Sequence, residues 1–198
     1  MNLVLTDEQR LIRDSAQQFF RERGGVSRLR AHRDAGEQGP GLWSDVAALG
    51  WVGLTVPERW GGAGLGLAEM TLITEAAGRV LAPEPLTGCA VLAGDALSLG
   101  GSDAQCERWL PRMASGEALA ALGWDERGLR GDVSRTMAEA RPDGDGFMLN
   151  GAKQDVSAAG SAELLIVSAR VSGSAEIALW LVDARAPGVT ITPSSRFS

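Results

Sequence analysis

Side chains able to do chemistry are sparse in this chain, and most of them sit in its second half. Only Lys153 among the 19 basic residues is a lysine, His32 is the single histidine, and there is no tyrosine. His32 lies in an arginine-rich stretch with Arg28, Arg30 and Arg33. No cysteine or carboxylate cluster stands near it at ligand spacing, so it reads as a solvent-facing side chain. One histidine and two scattered cysteines, Cys89 and Cys106, give little basis for a metal centre or for an activated serine or cysteine nucleophile. Gly61, Gly62, Gly64 and Gly66 invite a phosphate cradle. They lack both the G-x-G-x-x-G spacing after a strand and the Lys-Ser/Thr of a phosphate loop, and read as tight turns before a helix. Carboxylates remain: Asp125, Glu126, Asp132 and Asp155, all in or near turns, each an ordinary surface residue if taken alone.

The elements that must hold these groups change character near Gly116. Thr6 with Gln9 three residues on forms a capping box, and Leu11, Ile12, Ala16, Phe19 and Phe20 follow at helical spacing. The basic stretch around Arg28 to Arg33 reads as a solvated loop or face. A short helix is expected over Leu42–Leu49 and a longer one over Leu67–Leu81, stopped by Pro83. Another runs from Pro85 to Leu99, and a last one opens at the Ser102/Gln105 capping box and carries Trp109. The six tryptophans read as core or interface residues. From Ala118 onward short β-rich runs take over: Ala118–Gly123, Arg135–Arg141, Phe147–Asn150, Glu163–Val171, Ile177–Asp183 and Val189–Thr192. Asp143-Gly144-Asp145-Gly146 is a hairpin turn. The pattern predicts an α+β chain, with an all-α domain over 1–116 and an antiparallel, barrel-like β domain over 117–198.

Composition narrows the partners. The formal charge is −6 and the hydrophobic fraction 44%. That balance argues against nucleic acid, against a polybasic membrane patch and against disorder. No apolar run reaches the roughly 18 residues of a membrane span. The first ten residues carry no apolar signal core, and two cysteines make no disulfide framework, so a reducing cytoplasm is expected.

Several segments, in order, resemble the acyl-CoA dehydrogenase family. They are Leu5-Thr6-Asp7-Glu8-Gln9; Leu49-Gly50-Trp51-Val52-Gly53-Leu54 followed by Val56-Pro57-Glu58-Arg59-Trp60-Gly61-Gly62-Ala63-Gly64; Glu75, Gly78 and Arg79 with Leu81-Ala82-Pro83; Trp109-Leu110-Pro111 with Ala114-Ser115-Gly116-Glu117; Asn150-Gly151-Ala152-Lys153; and Asp183, Pro187 and Gly188. The resemblance implies an N-terminal helical domain, a middle β domain and a C-terminal helical bundle, of which residues 1–198 supply the first two. It implies oxidation of an acyl-CoA thioester between Cα and Cβ with FAD as hydride acceptor. The proton-abstracting glutamate then lies in the bundle, so no residue here is assigned as catalytic.

Two flavin-contacting segments are implied. The first reads Thr-Glu-Pro-x-x-Gly-Ser-Asp in the family and Asp125-Glu126-Arg127-Gly128-Leu129-Arg130-Gly131-Asp132 here. The second reads Lys-x-Trp-Ile-Thr-Asn there and Lys153-Gln154-Asp155-Val156-Ser157-Ala158 here. Trp124, Asp125, Gly131, Asp155, Val156 and Ser157 are thus the expected cofactor-binding residues. Asp125 can accept hydrogen bonds from a flavin but not donate them, and Asp155 stands where an apolar ring would cover it. Ser157 keeps the hydroxyl. With Arg127, Arg130 and Gly131, these departures imply a weakened or lost flavin site. They raise the alternative of a flavin-poor subunit in a heteromeric assembly, against a homo-oligomer acting on acyl-CoA by itself.

Overall fold

The computed structural model describes residues 4–34 and 41–193. By its contacts the chain divides into two units, Met1–Glu117 and Ala118–Ser198.

In the first unit, α1 (Asp7–Arg23) begins at the Thr6/Gln9 box, with Gln9 N 3.1 Å from Thr6 Oγ1 and Thr6 N 3.0 Å from Gln9 Oε1. Its fully buried residues are Ala16 and Phe20, and it packs on α4 (Leu67–Arg79), which buries Met70 and Ile73. The two helix starts are tied together. Gln9 Nε2 donates to Glu69 Oε1 at 2.7 Å, while Glu69 Oε2 accepts from Gly66 N at 3.0 Å. One Gln–Glu pair therefore satisfies free N–H groups at both N-termini. The Gln9 hydrogen bond holds the Glu69 carboxyl below its usual value.

The basic stretch is neither loop nor simple face. It forms α2 (Val26–Asp34), and Arg28 reaches out of that helix to the buried carboxylate of Glu84. Glu84 also accepts from Leu42 N at 2.9 Å, so it anchors α2 and the start of α3 (Trp43–Ala48) together. The His32 side chain lies outside the described residues. Between α3 and α4 the loop 51–66 buries Trp51, Val52, Leu54 and Val56. Its backbone crosses itself so closely that a Cβ at Gly62 would stand 2.0 Å from Val56 O and 2.5 Å from Gly53 O, and it packs so tightly on the end of the helix Asp103–Ala114 that a Cβ at Gly53 would stand 2.7 Å from Ala114 Cβ. The single helix expected from Pro85 to Leu99 is instead π-helical over Leu86–Ala93 and then α5 (Gly94–Gly100). The small buried residues Gly88, Ala90 and Ala93 accompany the wider turn. α6 (Asp103–Ala114) closes the unit, burying Cys106, Trp109, Leu110 and Met113.

The second unit is built around one long strand. β4 (Leu164–Val171) pairs antiparallel with β5 (Ile177–Asp183) along one edge. Its other edge takes two short strands in succession, both parallel. β1 (Ala120–Gly123) lies beside Leu164–Val167, and β2 (Glu139–Asp143) beside Arg170 and Val171. β3 (Gly146–Asn150) returns antiparallel to β2 through the Asp143–Gly146 turn. The α+β class stands, but the sheet is open and mixed rather than an antiparallel barrel. Where a strand is expected from Arg135, the chain makes a 3-10 turn at Val133–Arg135 capped by Asp132, its Oδ1 accepting from Ser134 N at 3.1 Å, and β2 begins only at Glu139. Val189–Thr192 has strand-forming residues but pairs with no strand.

This topology leaves a gap on the edge of β4. Between β1 and β2 the chain swings out as residues 124–138, and between β3 and β4 it swings out again as 151–163. Both excursions carry expected site residues.

Candidate functional site

Ser168 sits in that gap, 1% exposed, at the level where β1 has ended and β2 has not begun. Its hydroxyl accepts from Lys153 Nζ at 2.8 Å and donates to Trp124 O at 3.3 Å. Lys153 Nζ also donates to Glu126 Oε1 at 2.6 Å. Glu126, 3% exposed, further accepts from Met137 N at 2.8 Å and Ala138 N at 3.1 Å. A buried charge survives only when paired and fully hydrogen-bonded, and this one is. Burial alone would raise the Glu126 carboxyl. The Lys153 hydrogen bond and the Met137 and Ala138 N–H groups outweigh it and hold the carboxyl below its usual value.

The same network fixes the two excursions against each other. Gln154 N donates to Asp125 O at 3.0 Å and Gln154 Nε2 to Asp125 Oδ2 at 2.9 Å. A Cβ added at Gly123 would come 3.2 Å from Lys153 Cγ and 3.4 Å from Val156 Cγ2. So Trp124 and Asp125 run alongside Lys153–Val156 as one edge. Asp155 and Ser157 follow in an exposed turn, and Gly131 lies farther out along the 124–138 loop. Strain gathers at this edge. Of the four non-glycine residues with positive φ among those described, Arg130 (52°), Asp155 (53°) and Ala158 (62°) fall in these two segments. Each costs about 1–3 kcal/mol, and such residues cluster where ligands bind.

Taken residue by residue, Asp125, Glu126 and Asp155 are isolated turn carboxylates. The fold instead gathers Glu126, Lys153 and Ser168 into one network and bridges Asp125 to Gln154. The only sequence signal for this gathering is the solitary lysine. Among the described residues no group of three His, Cys, Asp or Glu side chains could hold a metal ion.

The donor set fits a flavin dinucleotide. Trp124, 36% exposed, offers an apolar ring, and Ser157 an exposed hydroxyl. Gly128 and Gly131 have positive φ, and a Cβ added at either would meet nothing within 4 Å, so the space beside the backbone is open there. Asp125 Oδ1 is buried and accepts no hydrogen bond.

The family model for the acyl-CoA dehydrogenase N-terminal domain matches residues 6–117, and that for the middle domain matches residues 121–196. The chain belongs to the acyl-CoA dehydrogenase family. Among curated relatives, acyl-CoA dehydrogenase FadE12 of Mycobacterium tuberculosis is 30% identical over 175 residues, 85% of this chain and 44% of its own length. A solved variant of the Tcur3481-Tcur3483 steroid ACAD superposes with a TM-score of 0.82 at 34% identity, over 92% of this chain and 49% of that one. An acyl-CoA dehydrogenase from Bacillus anthracis, solved complexed with FAD, gives 0.79 at 25% identity over 97% and 34%. The chain thus spans about half the length, or less, of these acyl-CoA dehydrogenases. Among the described residues no helix is long and apolar enough to cross a membrane.

Proposed function

We propose that this chain contributes the N-terminal and middle domains of a FAD-dependent acyl-CoA dehydrogenase that desaturates an acyl-CoA thioester between Cα and Cβ. The observation that carries the reading is the Glu126–Lys153–Ser168 network. It holds the two flavin-contacting segments of the family side by side. FAD, when bound, accepts the hydride that leaves the β carbon. Trp124, Val156 and Ser157 would line the ring, Ser157 as a hydrogen-bond donor, and the open backbone at Gly128 and Gly131 would face the dinucleotide. Asp125, held by Gln154, would face the ring without a hydrogen to donate to it. The proton-abstracting glutamate is assigned to no residue of this chain. The two cysteines, both buried and neither in a disulfide, suit a reducing cytoplasm.

The test is anaerobic addition of acyl-CoA thioesters to the FAD-loaded protein in its native assembly. Bleaching of the yellow absorbance with formation of the enoyl thioester is expected. FAD-loaded protein that keeps its colour with every thioester tried contradicts the reading.

A second reading is supported by the two-component name of the steroid ACAD relative and by Asp125 and Asp155 at the ring edge. In it, this chain is the flavin-poor subunit of a heteromer, its partner holding the complete site. Mass measurement of the purified assembly separates the two. A homo-oligomer with full flavin supports the first reading, and two chain types with flavin on only one support the second.

A further inference from the structure

β5 (Ile177–Asp183) pairs with β4 on one side only. The pairing runs without a bulge from Leu164–Asp183 to Arg170–Ile177. Just past its two ends Ala184 N donates to Glu163 O at 3.0 Å and Val171 N to Glu176 O at 2.9 Å. Those two bonds fix the phase of the strand. Ala178, Trp180 and Val182 turn their backbone groups to β4, and Ile177, Leu179 and Leu181 turn theirs away. Among the described residues nothing pairs with the outward N–H and C=O groups of Ile177, Leu179 and Leu181.

An open edge of this kind accepts another strand, and folded proteins blunt it with a charge, a proline, a bulge, a short strand or a cover. β5 carries none of these. Ile177-Ala178-Leu179-Trp180-Leu181-Val182 holds no charge and no proline, and Leu179 is 48% exposed. Val189–Thr192, the next strand-forming run, does not turn back onto the edge. The strand is also held ready from the β4 side. Trp180 Nε1 donates to Ala169 O at 3.3 Å, and its ring centre lies 4.4 Å from that of Phe147. The uncharged run is closed at both ends by an exposed acid, Glu176 and Asp183, and neither has an ion pair among the described residues. Arg185 lies beyond the strand in the following turn, its N–H donating to Asp183 Oδ1 at 2.8 Å. A second copy of β5 laid on this edge would bring acids to both ends of the pair, in a chain of net charge −6.

We propose that the free edge of β5 takes up a β-strand from a partner subunit of different sequence, an uncharged apolar strand with a lysine or arginine at each end. Main-chain hydrogen bonds to Ile177, Leu179 and Leu181 supply the affinity. The basic ends meet Glu176 and Asp183 and set this partner apart from a second copy. The inference goes beyond the dehydrogenase reading and does not depend on flavin occupancy. With the heteromer reading it shares only the second chain type, and it says where that chain attaches.

The experiment is residue-resolved hydrogen exchange on the native assembly, together with its mass and chain composition. The Leu179 and Leu181 amides are expected to exchange as slowly as those of Trp180 and Val182, which face β4. Leu179→Pro removes one outward N–H and spares the ladder to β4, since an edge strand tolerates a proline whose nitrogen points outward. It is expected to weaken the hold on the partner chain about tenfold, through one lost hydrogen bond and the carbonyl left unpaired. Leu179→Thr keeps the N–H and is expected to hold the partner more tightly than the proline variant. Glu176→Lys/Asp183→Asn is expected to weaken the hold and to reduce its dependence on salt. Fast exchange at Leu179 and Leu181 in the wild-type assembly overturns the proposal. So does slow exchange in an assembly of one chain type, which gives the edge to a second copy or to the same chain. A proline variant that keeps its partner at wild-type strength overturns it as well. Should the proline unfold β5, seen as fast exchange at Trp180 and Val182, the wild-type exchange and the charge variant decide. A bare edge on protein whose flavin still bleaches with an acyl-CoA thioester overturns this inference alone and leaves the dehydrogenase reading standing.

Discussion

Lys153 Nζ lies 2.6 Å from Glu126 Oε1, a buried ion pair between residues 27 positions apart. It is where the two excursions of the β4 edge are joined. The lysine side chain is 10% exposed and the glutamate's 4%, so neither charge can fall back on water if its partner is removed. Breaking such a pair from one side costs about 3–5 kcal/mol. Lys153→Met and Glu126→Gln should each lower stability by that order in urea unfolding. The double variant should cost clearly less than the two together, because it leaves no unpaired charge.

The same pair sets an acid limit. Glu126 is held below its ordinary value in the fold, so its contribution is fully present above the unfolded carboxyl's pKa of about 4.3 and is lost as pH falls through the lower folded value. The stability gap between wild type and Glu126→Gln should therefore be constant near neutrality and shrink in that acid window. Unfolding midpoints measured across pH give the curve. A gap that widens on acidification would have the opposite sign.

Gln9→Ala removes a hydrogen bond to each of two helix starts. A lost cap costs about 1 kcal/mol, and the loss should be of that size. The Glu69 carboxyl, lowered first by its hydrogen bond from Gln9, should also titrate at a higher pH. Carboxyl NMR titration reads the shift, which a purely local effect on α1 would not produce.

Gly62→Ala places a methyl 2.0 Å from Val56 O and 2.5 Å from Gly53 O. Both obstacles are backbone, so the 51–66 loop must open. A destabilisation above about 2 kcal/mol is expected by thermal unfolding, in the range of overpacked sites.

Asp125→Thr removes a buried oxygen without a donor, an arrangement that costs about 1–3 kcal/mol. The threonine hydroxyl can still accept from Gln154. The variant should be at least as stable as wild type and should bind FAD more tightly, since a hydroxyl can donate to a ring carbonyl. Fluorescence titration with FAD and urea unfolding check the two halves separately.

The helical unit is largely legible in the sequence because its signals are local. The Thr6/Gln9 and Ser102/Gln105 boxes bring partners three residues apart, and the apolar spacing of α1, α4 and α6 shows which face is buried. α2 lacks an apolar stripe, and Arg28 holds it in place through Glu84, which only the fold brings near. Strand existence is readable, but strand direction is not. Whether β1 runs parallel to β4 depends on a pairing, Ala120 with Leu164, that no neighbouring residue encodes. Val189–Thr192 has the β-branched residues that suit a strand, yet a strand needs a partner edge. At the candidate site, motif resemblance locates Glu126 and Lys153 but not their contact. Charge pairing across an excursion is a property of the sheet that spaces its two ends.

The central claim is that the edge formed by residues 124–132 and 153–157 holds the flavin of this protein. The flavin content of the purified assembly, read from its visible absorbance after dialysis against excess FAD and then against buffer, tests it most directly. Stoichiometric flavin on this chain, reduced in Trp124→Ala and lost in Lys153→Met, is the expected result. Wild-type protein that leaves the second dialysis colourless, with its fold intact by circular dichroism, would contradict it.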